Sequence, residues 1–181
     1  YVFVSGQMAW NKEGKIVDKA NFRAQFERAL DNVVGVLEIA GASLSDVVKL
    51  TYYVTDQRYY DDHTEVRKRA LAKGAPASAV LFVSSLAVTE ALIEVEAIAY
   101  VGRDKKVYQW SNMMRPPGFS PVVKAGNLLF LAGQVPLGPN MEVIGKGDPK
   151  AQVGATLDNV EHVLQLAGVT SRDVLKLLTF I

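Results

Sequence analysis

Apolar residues recur three and four apart as Phe22, Phe26, Ala29, Leu30, Val33, Val36, Leu37 and Ala40. That spacing predicts an amphipathic helix over 20–40, with Gly41 as its stop. Gly35 costs about 1 kcal/mol against Ala inside such a helix, which predicts close packing against a neighbour. Val47–Val54 is β-branched and aromatic and predicts a strand, as do residues 1–7, 78–84 and 92–101. Between them Tyr59–Lys73 predicts a second, more charged helix, ended by Gly74 and Pro76. Residues 102–118 carry Arg103, Lys105, Lys106, Arg115, Pro116, Pro117 and Gly118 without an apolar period and are expected to form a linker. Phe119–Lys124 predicts a new first strand, with a turn at Ala125-Gly126-Asn127.

The same words return further along. Phe3-Val4-Ser5-Gly6-Gln7 recurs as Phe130-Leu131-Ala132-Gly133-Gln134, and Leu30-Asp31-Asn32-Val33 recurs intact as Leu157-Asp158-Asn159-Val160. Ala40-Gly41 returns at Ala167-Gly168, and Asp46-Val47 at Asp173-Val174. Every pair lies 127 positions apart (130 − 3, 157 − 30, 167 − 40, 173 − 46), and residues 1–54 share 18 identities with residues 128–181. Shared periodicity alone does not reproduce Gly-Gln, Leu-Asp-Asn-Val and Ala-Gly at one spacing, so the chain contains a duplication. Residues 1–101 are a first unit without its first strand, 102–118 the linker, and 119–181 the N-terminal half of a second unit. Each unit reads β-β-α-β-α-β-β, an α+β arrangement with one sheet and both helices on one face. Strand-like sequence at Tyr1–Val4 and Leu177–Ile181 leads us to expect a chain that continues beyond both ends.

The 20 Lys and Arg against 19 Asp and Glu give a net charge of +1 and no electrostatic case for a nucleic-acid partner. Cysteine is absent, which removes disulfides, thiol nucleophiles and thiolate metal sites. Two histidines, His63 and His162, make a zinc site improbable on donor count. Apolar runs such as Leu128–Gly133 are too short to span a bilayer, and a secretory leader is not visible. A soluble, cytoplasmic protein without membrane contact is the expectation.

Phe3–Gln7, Ala29–Val33, Ala40-Gly41, Asp46–Lys49 and Ile93-Glu94-Val95-Glu96-Ala97-Ile98-Ala99 together resemble the Rid (reactive intermediate deaminase, YjgF-like) family. In the second unit Gly118-Phe119-Ser120-Pro121, Ala125-Gly126-Asn127 and Gly133-Gln134 resemble the opening of the same family. The resemblance implies a chorismate-mutase-like fold in tandem, assembled as a trimer or pseudo-trimer by self-association, with sites in the clefts between units. It implies hydrolysis of small-molecule enamines or imines to keto acids and ammonia, with no cofactor and no metal.

The resemblance also implies roles for particular residues. Glu94 matches the carboxylate beside the water site, and a positioned carboxylate can orient water or move protons. Ser5 and Gly6 match a turn lining the cleft, and Phe119 the position of an aromatic, often Tyr, that closes over the ligand. Family members carry an Arg after the Pro-Ala pair of the penultimate strand; this chain has Pro76-Ala77-Ser78-Ala79. Ser78, with Ala79 beside it, therefore stands where a carboxylate anchor is expected, and a hydroxyl lacks the charge and the fork. Restoring that Arg is expected to raise activity on small imino acids. Thr64 replaces an Asn of the deaminases. From its own sequence context, His63 beside Asp61 and Asp62 reads as a solvated or capping residue, and Arg67-Lys68-Arg69 as the wet face of its helix.

Three functions compete on this reading. The first is an imine or enamine deaminase, acting on a small or an aminomuconate-like substrate. The second is a non-catalytic small-molecule binder that keeps the cleft without the Arg. The third is an accessory module of a larger tandem protein. Some family members are described as endoribonucleases, which the charge balance here does not support.

Overall fold

The computed structural model describes residues 1–71, 75–110 and 118–180. Lys73, Gly74, Arg115, Pro116, Pro117 and Ile181, used in the sequence reading, lie outside the described residues.

The first helix, α1, spans Phe22–Ile39, and Asn21 caps it by accepting from the Ala24 N–H at 3.2 Å. Its end closes on Gly41 at φ +72°, with the Ala42 N–H donating to the Leu37 carbonyl at 2.8 Å. The closure recurs 127 residues later at the end of α3 (Pro149–Leu166), where Gly168 has φ +74° and the Val169 N–H donates to the Leu164 carbonyl at 3.2 Å. The repeated Asn has the same physical basis. Asn32 donates to the carbonyls of Met8 and Trp10, and Asn159 donates to those of Val135 and Leu137. Each Asn ties its helix to the chain leaving the preceding strand, through two carbonyls that an apolar side chain would leave unpaired. Gly35 has nothing within 4 Å of a built Cβ, so the close packing expected there is absent.

Strands β1 (Val2–Gln7), β2 (Val47–Val54), β3 (Ala77–Phe82) and β4 (Ile93–Ala99) form one sheet in the order β1-β4-β2-β3. β2 and β3 are parallel, joined through α2 (Tyr60–Ala70), and the other pairs are antiparallel. One sheet face and both helices share a core of Val4, Phe26, Leu30, Val33, Leu37, Leu50, Tyr52, Val66, Ile93 and Val95. The single sheet with helices on one face is thus as expected.

The stretch 102–118 differs from the linker expectation. Lys105–Tyr108 is a strand, β5, which pairs with β6 (Val122–Ala125), and β6 pairs in turn with β7 (Leu128–Leu131). Its pairing rests on backbone ladder bonds, which the charged Lys105 and Lys106 conceal in the sequence. This second sheet lies against the helix-free face of the first, burying Val48, Ala77, Val123, Ala125 and Ala132. A bulge in β2 at Val47–Lys49 turns both Val48 and Lys49 to that side. The Lys49 Nζ reaches the Leu131 carbonyl at 2.5 Å, and burial lowers its pKa to about 8.

Residues 174–180 align with β2 at the 127 offset but form no strand, and Leu175, Leu177, Leu178 and Phe180 are exposed. In the first unit β2 is held between β4 and β3; residues 174–180 pair with no described strand. Strand propensity without a ladder partner does not make a strand.

Candidate functional site

On β4 the residues Ile93, Val95 and Ala97 point into the helix-side core, so alternation sends Glu94 and Glu96 to the opposite face. Glu94 stands opposite Tyr53 on β2, and Glu96 opposite Thr51. The Tyr53 hydroxyl donates to Glu96 at 3.0 Å. Partial burial, and then the charge of Glu96, raise the Glu94 pKa above the ordinary carboxylate range.

Ser5 and Gly6 fall in an irregularity of β1, between the pairs Val4↔Ala97 and Gln7↔Val95. Gln7 folds back to donate to the Ser5 and Gly6 carbonyls. A Cβ built on Gly6 would lie 1.6 Å from Glu94 Oε1, so the carboxylate rests on bare backbone. The structure thereby brings together three of the expected residues, Ser5, Gly6 and Glu94, and adds Tyr53 and Glu96. The two-residue alternation of β4 places Glu96 on the Glu94 face from the sequence alone, and the same alternation of Thr51 and Tyr53 in β2 could have added Tyr53.

The other three assemble elsewhere. Ser78 is 3% exposed and stands opposite Leu50, on the helix side of β3, while Ala79 faces the second unit. The Gly133 N–H donates to the Ser78 carbonyl at 3.1 Å, and a Cβ on Gly133 would meet the Ala79 Cβ at 3.0 Å. Ser120 bridges to Ala77, its Oγ donating to the Ala75 carbonyl at 2.6 Å, and Phe119 stacks on Trp110 with ring centroids 5.8 Å apart. Ser78, Ala79 and Phe119 therefore meet at the seam between the units, joined by Gly133, which stands at the position of Gly6 plus 127.

One site holding all six expected residues does not exist within this chain. Gly6 is on the β1 edge and Ser78 on the β3 edge. Three strand spacings separate those edges, roughly 14 Å at about 4.8 Å each. Glu94 and Ser78 also point to opposite faces. The chain carries two half-sites, a carboxylate half at Glu94 and a seam half at Ser78.

The reading of α2 also changes. His63 is fully buried rather than solvated, stacked on Phe26 at 5.2 Å and edge-on to Tyr52 at 4.6 Å. Burial, with the Arg67 charge adding to it, lowers its pKa to about 3 and keeps it neutral. Arg67, expected on the wet face, is 7% exposed. Both faces of the error have one cause: His63, Val66 and Arg67 form the buried i, i+3, i+4 stripe, written mostly in polar letters. The Tyr52 hydroxyl, both His63 ring nitrogens, Thr64 Oγ1 and Arg67 Nε are buried without hydrogen-bond partners among the described residues. Such atoms cost about 1–3 kcal/mol each when left unsatisfied.

A shallow groove between α1 and α2, lined by Glu27, Asp31, Val66 and Arg69, lies on the helix side, away from Glu94. Among the described residues no three His, Asp or Glu converge as a metal site, and no helix is long and apolar enough to cross a membrane.

Comparison with known proteins follows the same division. The family described as endoribonuclease L-PSP matches residues 1–101 and again 113–181. A RutC family protein of Pyrococcus abyssi is 38% identical over 100 residues, covering 55% of this chain and 78% of that protein. The 3-aminoacrylate deaminase RutC of Acinetobacter baylyi is 37% identical over 62 residues, 33% of this chain and 49% of that protein. Among solved structures, RidA from an Antarctic Psychrobacter is similar at TM-score 0.51 and 31% identity, covering 55% of this chain and 79% of that one. A putative endoribonuclease of Thermotoga maritima is similar at TM-score 0.50 and 37% identity, covering 54% and 76%.

Proposed function

The chain belongs to the endoribonuclease L-PSP family, the Rid/YjgF proteins, in tandem arrangement, and from that premise we propose that it hydrolyses reactive enamines or imines to keto acids and ammonia. The observation that carries this reading is the Glu94 carboxylate lying on the bare backbone of Gly6, its pKa raised by burial and by Glu96. A relative named as a 3-aminoacrylate deaminase supports the chemistry.

The reaction needs little machinery. The enamine gains a proton at carbon and gives one up at nitrogen to become the imine, water adds to the imine carbon, and the C–N bond then breaks. Imine plus water gives ketone plus ammonia, with no redox change. Glu94 accepts the proton of the attacking water and returns it to the departing nitrogen. A carboxylate with raised pKa is the better base for that transfer. Tyr53 holds Glu96, and Glu96 supplies the charge that tunes Glu94.

The reading includes a small-molecule imine or enamine as substrate, no cofactor, and a cytoplasmic setting, which suits a chain without cysteine. It also includes self-association as a trimer or pseudo-trimer. Phe3, 70% exposed, and the half-exposed Tyr53 and Leu81 leave an apolar surface on the Glu94 face for a neighbouring unit to cover. A neighbour there completes the carboxylate half-site.

The test generates imino acids in situ with an amino-acid oxidase and traps what escapes with semicarbazide. Faster keto-acid formation at the expense of the trapped product, for a small or a bulky imino acid, is expected. An unchanged trapped yield across the whole series contradicts deamination and favours the non-catalytic binder.

A further inference from the structure

Glu94 keeps its seat only while Gly6 stands beneath it, because a Cβ there would lie 1.6 Å from Oε1. A slip of one residue along β1 would bring Ser5 or Gln7, each with a side chain, under the carboxylate. The ladder is irregular at this point. Between the pairs Val4↔Ala97 and Gln7↔Val95, β1 sets both Ser5 and Gly6 against Glu96 alone. A bulge of this kind disrupts the ladder locally, and other contacts must then fix the register.

Two amides of α1 grip the chain on either side of the seat. Gln25 is fully buried; its Nε2 donates to the Glu90 carbonyl at 3.0 Å, and its Oε1 accepts from the Leu92 N–H at 2.8 Å. That clasp fixes the entry to β4, just ahead of Glu94. Asn32 Nδ2 donates to the Met8 carbonyl at 2.8 Å and to the Trp10 carbonyl at 3.2 Å. That clasp fixes the exit from β1, just after Gly6 and Gln7. Because β1 and β4 are antiparallel, the exit of one and the entry of the other lie at the same end of the sheet. Gln25 and Asn32 are separated by two helical turns and so share one face of α1, roughly 10 Å apart along its axis. The same spacing returns as Gln152 and Asn159, so the duplication carries both amides together.

We propose that Gln25 and Asn32 are positioning residues: from the helix side of the sheet they set the register of β4 against β1 that seats the Glu94 carboxylate on Gly6. Both act at a distance, since α1 packs on the sheet face opposite to Glu94. The consequence for rate rests on the deamination reading. The positioning itself does not, because the seat is a property of the two strands.

The test reads Glu94 itself, by carboxyl-carbon NMR of the full chain, with Glu94→Gln identifying the resonance. In the wild type this carboxyl titrates above the ordinary carboxylate range. Gln25→Met is close in size and lacks the amide. Its Glu94 titration is expected to move down towards the ordinary range, as the carboxylate leaves its partly buried seat. In the imine assay its kcat is expected to fall about tenfold or more with KM within about twofold, because the geometry is lost and no contact to substrate is. An unmoved titration in folded Gln25→Met, however far its melting temperature falls, overturns the proposal in favour of a purely structural clasp. Should Gln25→Met fail to fold, Asn32→Leu decides, at a half-buried position on the β1 side. The same downward move is expected there, and an unmoved titration overturns the proposal. Deamination is followed in parallel. A titration that moves in a protein without deamination, or with an unchanged rate, keeps the positioning and refutes the part of Glu94 in the reaction; an active deaminase whose Glu94 titration ignores Gln25→Met does the reverse.

Discussion

Gly6→Ala adds a single methyl group, and the structure says where it goes. The new Cβ would lie 1.6 Å from Glu94 Oε1, 2.6 Å from its Cδ and 2.9 Å from its Cγ. Ordinary contact begins near 3.4 Å, so the carboxylate must move by about 1.8 Å (3.4 − 1.6). The backbone at Gly6 is not in the left-handed region, so Ala fits the chain path itself. Since the obstacle is the end of a flexible side chain outside the helix-side core, the stability cost stays within about 1 kcal/mol. A misplacement of about 1 Å can cost roughly a hundredfold in rate, so the expected loss in imine hydrolysis is a hundredfold or more. The assay is the oxidase–semicarbazide competition, with thermal unfolding as the check on the fold. Full activity in a folded Gly6→Ala protein would refute the argument that Glu94 acts from its seat on Gly6.

Three further outcomes follow from the same geometry. Glu96→Gln removes a charge that raises the Glu94 pKa, so the acid limb of the pH–rate profile moves to lower pH; an unmoved limb means Glu94 is not the titrating base. Ser78→Arg, which the sequence alone favours as a gain, places a second guanidinium at a 3% exposed position on the Arg67 side; melting is expected to fall by several degrees without a gain in rate, and a rate gain would show room the structure does not contain. Gly35→Ala meets nothing within 4 Å and is expected to stabilise α1 by about 0.5–1 kcal/mol in urea unfolding, whereas destabilisation would reveal a hidden neighbour.

What the sequence made legible was local. The periodicity of α1, the β-branched run of β2, the Gly41 closure and its copy at Gly168 depend on neighbours in the chain, and each appears where the pattern put it. The 127-residue repeat was readable because Asn32 and Asn159 each make two bonds that only an amide at that position provides. What stayed hidden depends on partners distant in sequence. β5 is a strand through its ladder to β6, and 174–180 is none for lack of a partner among the described residues. The six site candidates matched one motif set, yet the order β1-β4-β2-β3 sends Gly6 and Ser78 to opposite edges. No residue spacing encodes that order. Arg67 and His63 escaped because a buried stripe written in polar residues looks like a wet face until the helix and sheet it packs on are present.

The measurement that bears most directly on the account is hydrolysis of 2-aminoacrylate, released in situ, by the wild-type protein and by Glu94→Gln. The account predicts that the wild type diverts the intermediate from semicarbazide to pyruvate and ammonia. Glu94→Gln, folded and equally stable, should lose that activity by about a hundredfold or more. Equal activity in both proteins would contradict it, because the carboxylate on Gly6 would then have no part in the chemistry.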